Sequence, residues 1–113
     1  MLTAEEIQFL DSQILARVAT VNSRGQPDVV PVGLHRDGET FLIKGHDLKS
    51  TLKYRNVKSG NREIALVIDD QPSVEPWIVR GIKLHGSAEI VNGRHGEAIR
   101  FTPRRKWSWG INH

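Results

Sequence analysis

Apolar and polar residues alternate along most of this chain with the two-residue period of β-strands. Strand-like runs occur at residues 15–21, 28–34, 40–44, 63–69 and 78–91, and a final broken run covers 98–102 and 106–111. Turn residues such as Asp37-Gly38 and Asn92-Gly93 separate them, because glycine and asparagine adopt the backbone angles of tight hairpins. The run from Glu63 to Asp69 is apolar through its centre and predicts a strand buried on both faces. Residues 70–76 hold two prolines and predict an irregular loop, and Gly81 predicts a bend or bulge in the long run.

In two segments the apolar residues instead recur every three to four positions, the period of an α-helix. The first covers about residues 4–12, where Thr3 and Glu6 can form a reciprocal capping box. The second runs from Asp47, the expected N-cap, to Lys58, and Ser59-Gly60-Asn61 would end it. Six or seven strands with two short helices predict a mainly β (α+β) fold, a small antiparallel barrel. Most connections are too short for the crossovers that a parallel sheet needs.

Length and composition narrow the class of protein. The 113 residues suit one domain that covers 1–113. Apolar runs such as 65–68 are far shorter than the roughly 20 residues of a membrane-spanning helix, so we expect no membrane segment. The chain has no cysteine, which excludes disulfides, thiolate metal sites and cysteine nucleophiles. With no secretory signal visible at the N-terminus, we expect a cytoplasmic protein.

Positive charge is concentrated in two segments and indicates an anionic partner. Residues 44–62 hold six Lys/Arg and one acidic residue, and residues 100–106 hold four Lys/Arg and no acidic residue. The first segment passes from a strand end through Gly45 into a helix, whose free amides would suit phosphate. Thr51 offers a hydroxyl there, and Lys49 and Lys53 lie on one helical face. The same residues also fit a solvated basic helix.

Self-contained catalytic motifs are not visible in the sequence. The five histidines lack the close spacing of a metal motif, and there is no Gly-x-Ser-x-Gly elbow or glycine-rich nucleotide loop. Any chemistry would therefore belong to a bound cofactor. Trp107 and Trp109 share one side of a strand and could fill a core, form a dimer interface or stack on a ring system. Tryptophan among basic residues also fits a single-stranded nucleic-acid binder, the last of the alternatives.

The order of these segments is similar to a known family. The family pattern is carried by Leu15–Val21, Gly25–Val32, Thr51-Leu52-Lys53-Tyr54-Arg55-Asn56, Ile64–Asp70 and Arg80-Gly81. Together they resemble the FMN-binding split-barrel family typified by pyridoxamine 5′-phosphate oxidase. Asp69-Asp70, Val74–Trp77, Thr102–Arg105 and Trp107–Gly110 resemble its short branch of coenzyme F420 (deazaflavin)-dependent enzymes. The chain lacks the further arginines and longer C-terminal region of the oxidase itself, so pyridoxamine-phosphate oxidation is not expected.

The resemblance implies a six- to seven-stranded split barrel, a homodimer with cofactor sites at the interface, and hydride transfer to an unidentified small-molecule substrate. The implied cofactor is F420, with FMN as the alternative, and a non-catalytic cofactor-binding protein on the same barrel stays open. Family positions imply that Thr51 and Lys53 hold the cofactor phosphate, with Arg55 and Asn56 beside them. They also place Val29, Val30, Pro31 and Val32 along the ring, and Trp77 and Arg80 in the partner's site. We add Lys44, His46 and Lys49 because of their charge and proximity.

Overall fold

One seven-stranded antiparallel sheet with two short helices forms the part of the chain that the computed structural model describes, residues 1–111. The helices are α1 (Ala4–Asp11) and α2 (Leu52–Lys58), and a 3-10 turn covers Leu48–Ser50. The strands are β1 (Leu15–Val21), β2 (Pro27–Gly33), β3 (Arg36–Asp37), β4 (Thr40–Ile43), β5 (Glu63–Ser73), β6 (Ile78–Gly93) and β7 (Gly96–Trp109). Their order in the sheet is β2-β1-β5-β6-β7-β4-β3. The predicted mainly β, antiparallel fold is confirmed.

The sheet curls around a single core. Alternate residues of each strand point inward, and Leu66, Ile82 and Phe101 are fully buried. Val32 of β2 and Phe41 of β4 belong to the same buried cluster although their strands lie toward opposite ends of the sheet order, so the sheet must bend back on itself. No helix within residues 1–111 is long and apolar enough to cross a bilayer.

The first helix confirms the predicted capping box. The Thr3 hydroxyl accepts from the Glu6 amide at 3.1 Å, and the Glu6 carboxylate accepts from the Thr3 amide at 2.8 Å. The predicted start of the second helix is wrong. Residues 48–50 form a 3-10 turn, and the N-cap of α2 is Thr51 rather than Asp47, whose side chain makes no cap hydrogen bond to the backbone.

Strand β5 differs from its prediction in burial and in length. Ala65 and Val67 are half-buried and Asp69 is exposed, because no helix or strand within residues 1–111 covers the outer face of the sheet. The prediction of a strand buried on both faces is therefore wrong. The predicted loop at residues 70–76 is also wrong, since β5 continues to Ser73 and the turn is confined to residues 74–77.

The hairpin of β6 and β7 is longer than the pattern indicated. Its turn lies at residues 94–95, just beyond the predicted Asn92-Gly93, because Gly93 pairs with Gly96. The last strand is continuous rather than broken, and an extra residue, Arg104, is accommodated in a bulge opposite His85 and Gly86. Gly81 marks no bulge but a close approach, where a Cβ would lie 2.3 Å from the Trp109 ring.

Candidate functional site

Lys53 is a half-buried cation in the first turn of α2. Burial removes part of its hydration and lowers its pKa, while the Asp28 carboxylate on β2 acts in the opposite direction. A partly desolvated ammonium gains more from an anion than an exposed one does. Because α2 has only seven residues, the argument for an anion here rests on this charge and not on the helix terminus.

Thr51 and Asn56 are held by the fold. The Thr51 hydroxyl donates to the Leu48 carbonyl at 2.6 Å and accepts from the Tyr54 amide at 3.3 Å, so it caps α2. Asn56 is buried and donates from Nδ2 to the Thr20 hydroxyl on β1 at 2.9 Å. Asn56 therefore fixes α2 against the sheet, and this contact positions Lys53 beside β1 and β2. Arg55 lies two residues after Lys53, on the opposite, exposed side of α2.

The four β2 positions do not share one face. Val29 and Pro31 point outward and are exposed, whereas Val32 is buried and Val30 packs against the core. Their side chains cannot all contact one ring, because successive residues of a strand point to opposite faces. What they share is the backbone of an edge strand, since β2 ends the sheet order and has a paired neighbour on one side only.

A second group of expected residues lies at another place. Lys44 and His46 line a cleft of about 600 Å³ between the segment after β4 and the β6–β7 hairpin; we call it the hairpin cleft. The hairpin contributes Arg94, His95 and Glu97 to its wall. Neither Lys53 nor any β2 residue lines this cleft. The structure thus divides the expected site residues into two groups.

Lys49 forms an ion pair next to the hairpin cleft. Its ammonium lies 3.1 Å from the Glu97 carboxylate, which also accepts from the Tyr54 hydroxyl at 3.1 Å. Lys49 lowers the pKa of Glu97, and Glu97 raises the pKa of Lys49, since each charge stabilises the other. The pair connects the 3-10 turn to β7 and neutralises one carboxylate at the edge of the cleft.

Trp77 and Arg80 lie at the opposite end of β6 from the hairpin cleft. The Arg80 guanidinium binds both oxygens of Asp70, at 2.9 and 2.6 Å, and rests 5.1 Å above the Phe9 ring. Trp77, in the turn between β5 and β6, is 68% exposed. Residues 80 and 92 are twelve positions apart on β6, on the order of 40 Å along an extended strand. Trp77 could therefore approach the hairpin cleft only from a second copy of the chain.

The hairpin cleft also contains residues that the sequence patterns did not single out. They are His35, Arg94, His95, Glu97 and Arg100. Arg100 belongs to a predicted strand and to the basic segment at residues 100–106, whereas the other four lie outside the predicted strands and turns. Their convergence depends on the pairing of β4 with β7. The basic segment and the adjacent basic pair Arg94-His95 are the local signals. Among residues 1–111, no group of three or more histidines or carboxylates is arranged to hold a metal ion.

The sequence model of the pyridoxamine 5′-phosphate oxidase family matches residues 2–108. The chain is 40% identical to 5a,11a-dehydrotetracycline/5a,11a-dehydrooxytetracycline reductase of Streptomyces rimosus, over 96% of this chain and 83% of that protein. Among solved structures, a conserved hypothetical protein of Mycobacterium tuberculosis superposes with a TM-score of 0.80 at 17% identity, covering 97% of this chain and 86% of that one. A protein described as an F420 reductase superposes with a TM-score of 0.66 at 21% identity, covering 83% and 89%. A family match over nearly the whole chain, together with a reductase relative of this identity, shows that the protein belongs to the pyridoxamine 5′-phosphate oxidase family of split-barrel oxidoreductases.

Proposed function

We propose that this protein is a coenzyme F420-dependent reductase that transfers a hydride to an organic substrate. The observation that carries the proposal is its 40% identity, over 96% of the chain, to a reductase of dehydrotetracyclines. The fold neighbour described as an F420 reductase supports the choice of the deazaflavin. The relative's substrates indicate a polycyclic organic acceptor for this chain as well.

The residues around α2 fit a cofactor that carries a phosphate. When bound, the deazaflavin supplies the hydride. The partly desolvated Lys53 ammonium would hold the phosphate, and the free edge of β2 would lie along the ring through its backbone groups. Asn56 and Thr51 would act indirectly, because their hydrogen bonds set the position of α2. Arg55 is exposed beside them and available to a longer anionic tail.

We further propose that the protein works as a homodimer. The outer face of the sheet presents Ala19, Ala65, Val67 and Trp107, which are half-buried and lie under no other helix or strand of the described part of the chain. An uncovered apolar sheet face is typical of an interface. In such a dimer the β5–β6 turn could carry Trp77 toward the partner's cofactor site. Arg80 would contribute by fixing that end of β6 through Asp70.

A paired titration tests the cofactor. Purified protein is titrated with oxidised F420 and with FMN at moderate salt, and Lys53→Ala is titrated in parallel. We expect preference for F420 and a loss of more than about tenfold in affinity for the variant, since a charge-assisted phosphate contact contributes roughly 1.5–3 kcal/mol. Lys58→Ala, on the same helix, is the matched control and should bind as the wild type does. Unchanged affinity in folded Lys53→Ala would remove this residue from the site.

Turnover tests the reaction. Reduced F420 mixed with 5a,11a-dehydrotetracycline and the protein should be oxidised at a rate proportional to the protein concentration. Cofactor binding without turnover of this or any related acceptor would favour a non-catalytic cofactor-binding protein. Binding of neither cofactor would contradict the proposal and make the basic nucleic-acid binder the next hypothesis, with steeply salt-dependent binding as its mark.

FMN is the second candidate cofactor. The family model that matches residues 2–108 is that of pyridoxamine 5′-phosphate oxidase, and a phosphate contact at Lys53 would serve either cofactor. If the protein prefers FMN in the paired titration, the proposed cofactor site would still apply, but the cofactor that carries the electrons would be FMN instead of F420.

A further inference from the structure

The hairpin cleft carries an excess of positive charge. Lys44 and Arg94 are exposed at its wall and Arg100 adds a third cation, while His35, His46 and His95 also line the cleft. Arg100 is held by the Thr40 hydroxyl at 2.7 Å and by Asp37 at 3.3 Å, so it is the least available of the three cations. Among the described residues that line the cleft, Glu97 is the one carboxylate, and Lys49 already neutralises it.

Beneath this charge the cleft has an apolar floor. Leu42, Val91 and Ala98 form it. A volume of about 600 Å³ lies within the range of small-molecule sites. Strongly hydrated ions gain little from apolar walls, whereas an organic molecule buries its rings there and directs its acidic group to the basic wall.

The hairpin cleft adjoins the strand assigned to the cofactor ring. His35, which lines the cleft, follows the end of β2 by two residues. A ring lying along the β2 edge would therefore end close to the cleft opening. Lys53, by contrast, faces β1 and β2 and contributes nothing to the cleft lining.

We infer that the hairpin cleft is the substrate site and that it selects organic anions with a flat apolar body, with Lys44 and Arg94 as the residues that bind the anionic group. The inference rests on the proposed reductase function and names its substrate class. The protein would then bind two anions at different places, the cofactor phosphate at Lys53 and the substrate at Lys44 and Arg94.

Two dyes that differ by one acidic group test this selection. The probes are 1-anilinonaphthalene-8-sulfonate and its uncharged parent, N-phenyl-1-naphthylamine, each titrated by fluorescence into wild type, Lys44→Ala, Arg94→Ala and the double variant. We expect the sulfonate to lose about tenfold in affinity in each single variant, while the neutral dye binds weakly and equally to all. Arg24→Ala, in the turn between β1 and β2, removes the same charge away from the cleft and should behave as the wild type does. Equal sulfonate affinity across the set, or a neutral dye that binds as tightly as the sulfonate, would overturn the inference.

An F420 titration of the same variants separates this inference from the proposed function. Lys44→Ala and Arg94→Ala should keep wild-type cofactor affinity, and Lys53→Ala should lose it. Loss of F420 affinity in the cleft variants to the same extent as in Lys53→Ala would assign the cleft to the cofactor and overturn the substrate assignment. If the wild type binds no cofactor but the dyes respond as expected, the proposed function fails while the charge selection of the cleft holds.

Discussion

At Lys53 the proposed phosphate contact and the stability of the empty protein are opposed. The Lys53 ammonium is partly removed from water, which lowers its pKa, and the Asp28 carboxylate opposes that effect. A residue in this condition destabilises the empty protein and becomes favourable when an anion arrives. Functional residues that carry such a cost are typical of binding sites.

Replacing Lys53 by methionine should therefore stabilise the empty protein. We expect the free energy of unfolding at pH 7 to rise by about 0.5–1 kcal/mol, while F420 affinity falls. Because the pKa in the folded state lies below 10.5, the folded wild type binds fewer protons than the unfolded chain as the pH approaches that value, and its stability rises there. The variant should lack this alkaline rise. Urea unfolding at pH 7 and pH 10 measures both effects, and a less stable variant at pH 7 would contradict the argument.

Asp70 gives a pH dependence of the same sign, but in the acidic range. The Arg80 guanidinium holds the pKa of its carboxyl below the ordinary 3.8, and the Gln13 amide contributes in the same direction. A depressed carboxyl pKa adds stability that is present above the unfolded value and is lost as the pH falls through the folded one. Asp70→Asn should thus cost about 1 kcal/mol at pH 7, and its difference from the wild type should shrink below pH 3.8.

Urea unfolding of both proteins at pH 7 and at pH 3 measures this change. Asp69→Asn is the matched control, because Asp69 pairs with Arg17 on the exposed face of the sheet and exposed ion pairs contribute little. An Asp70→Asn difference that persists undiminished at pH 3 would show that the side chain acts through packing rather than through its charge.

At the scale of elements, the β6–β7 pair determines the shape of the sheet. The bulge at Arg104 bends β7 opposite Gly86, and β7 pairs with β4 beyond that point. Gly86 is needed there because a Cβ would lie 2.1 Å from the Thr102 carbonyl oxygen, a backbone atom that cannot move without breaking the ladder. The pairing of β4 with β7 at residues 99–101 brings the segment after β4 to the hairpin and thereby forms the cleft.

Gly86→Ala should consequently destabilise the fold by about 1–3 kcal/mol, the usual cost of forced overpacking. Gly33→Ala is a suitable control, since its Cβ would meet only the His35 side chain, at 3.3 Å, and that side chain can turn away. The melting temperatures of the two variants and the wild type are compared by thermal unfolding under the same conditions. Equal melting temperatures for Gly86→Ala and the wild type would mean that β7 shifts without cost.

At the scale of the whole molecule, the outer face of the sheet is a surface that the elements of residues 1–111 leave uncovered. The face combines half-buried apolar residues with the Arg17–Asp69 ion pair and with Trp107, whose ring is flanked by Lys83 at 4.4 Å and Arg105 at 4.8 Å. Charges that surround an apolar centre resemble the polar rim of a protein interface. The proposed homodimer would bury this centre.

Val67→Glu tests the dimer without disturbing the monomer. Val67 lies on β5 between Arg17 of β1 and Lys83 of β6, so a glutamate there has cationic neighbours in one chain. Sedimentation should give twice the 12.7 kDa chain mass for the wild type and the monomer mass for the variant, because an added charge is costly at a dry interface centre. Gln8→Glu, exposed on α1, should stay dimeric. A monomeric wild type would refute the dimer and leave Trp77 with no role at a cofactor site.

Local sequence chemistry accounts for most of the elements. The alternation of apolar residues fixed β1, β2 and β4 to within one residue of their observed ends, since a strand with one buried face must place apolar side chains at every second position. The capping box of α1 is likewise a contact between residues three positions apart, which the sequence alone can specify.

Where the sequence analysis was wrong, long-range pairing was responsible. The extension of β5 through Pro72 and the continuity of β7 through Pro103 depend on β6 lying beside them, against the local preference of proline. Similarly, Asp47 was a reasonable N-cap by residue type, but Leu48 and Tyr54 packed into the core place the start of α2 at Thr51.

The sequence by itself determined the fold class, the family and the phosphate candidate Lys53, because these follow from short-range patterns that survive without knowledge of neighbours in space. Only the tertiary structure decided that Lys53 and Lys44 face different places, that Asn56 is used by the fold, and that His35, Arg94 and Glu97 meet in one cleft. Residues separated by some sixty positions come together through the pairing of β4 with β7, and no periodicity along the chain records that contact.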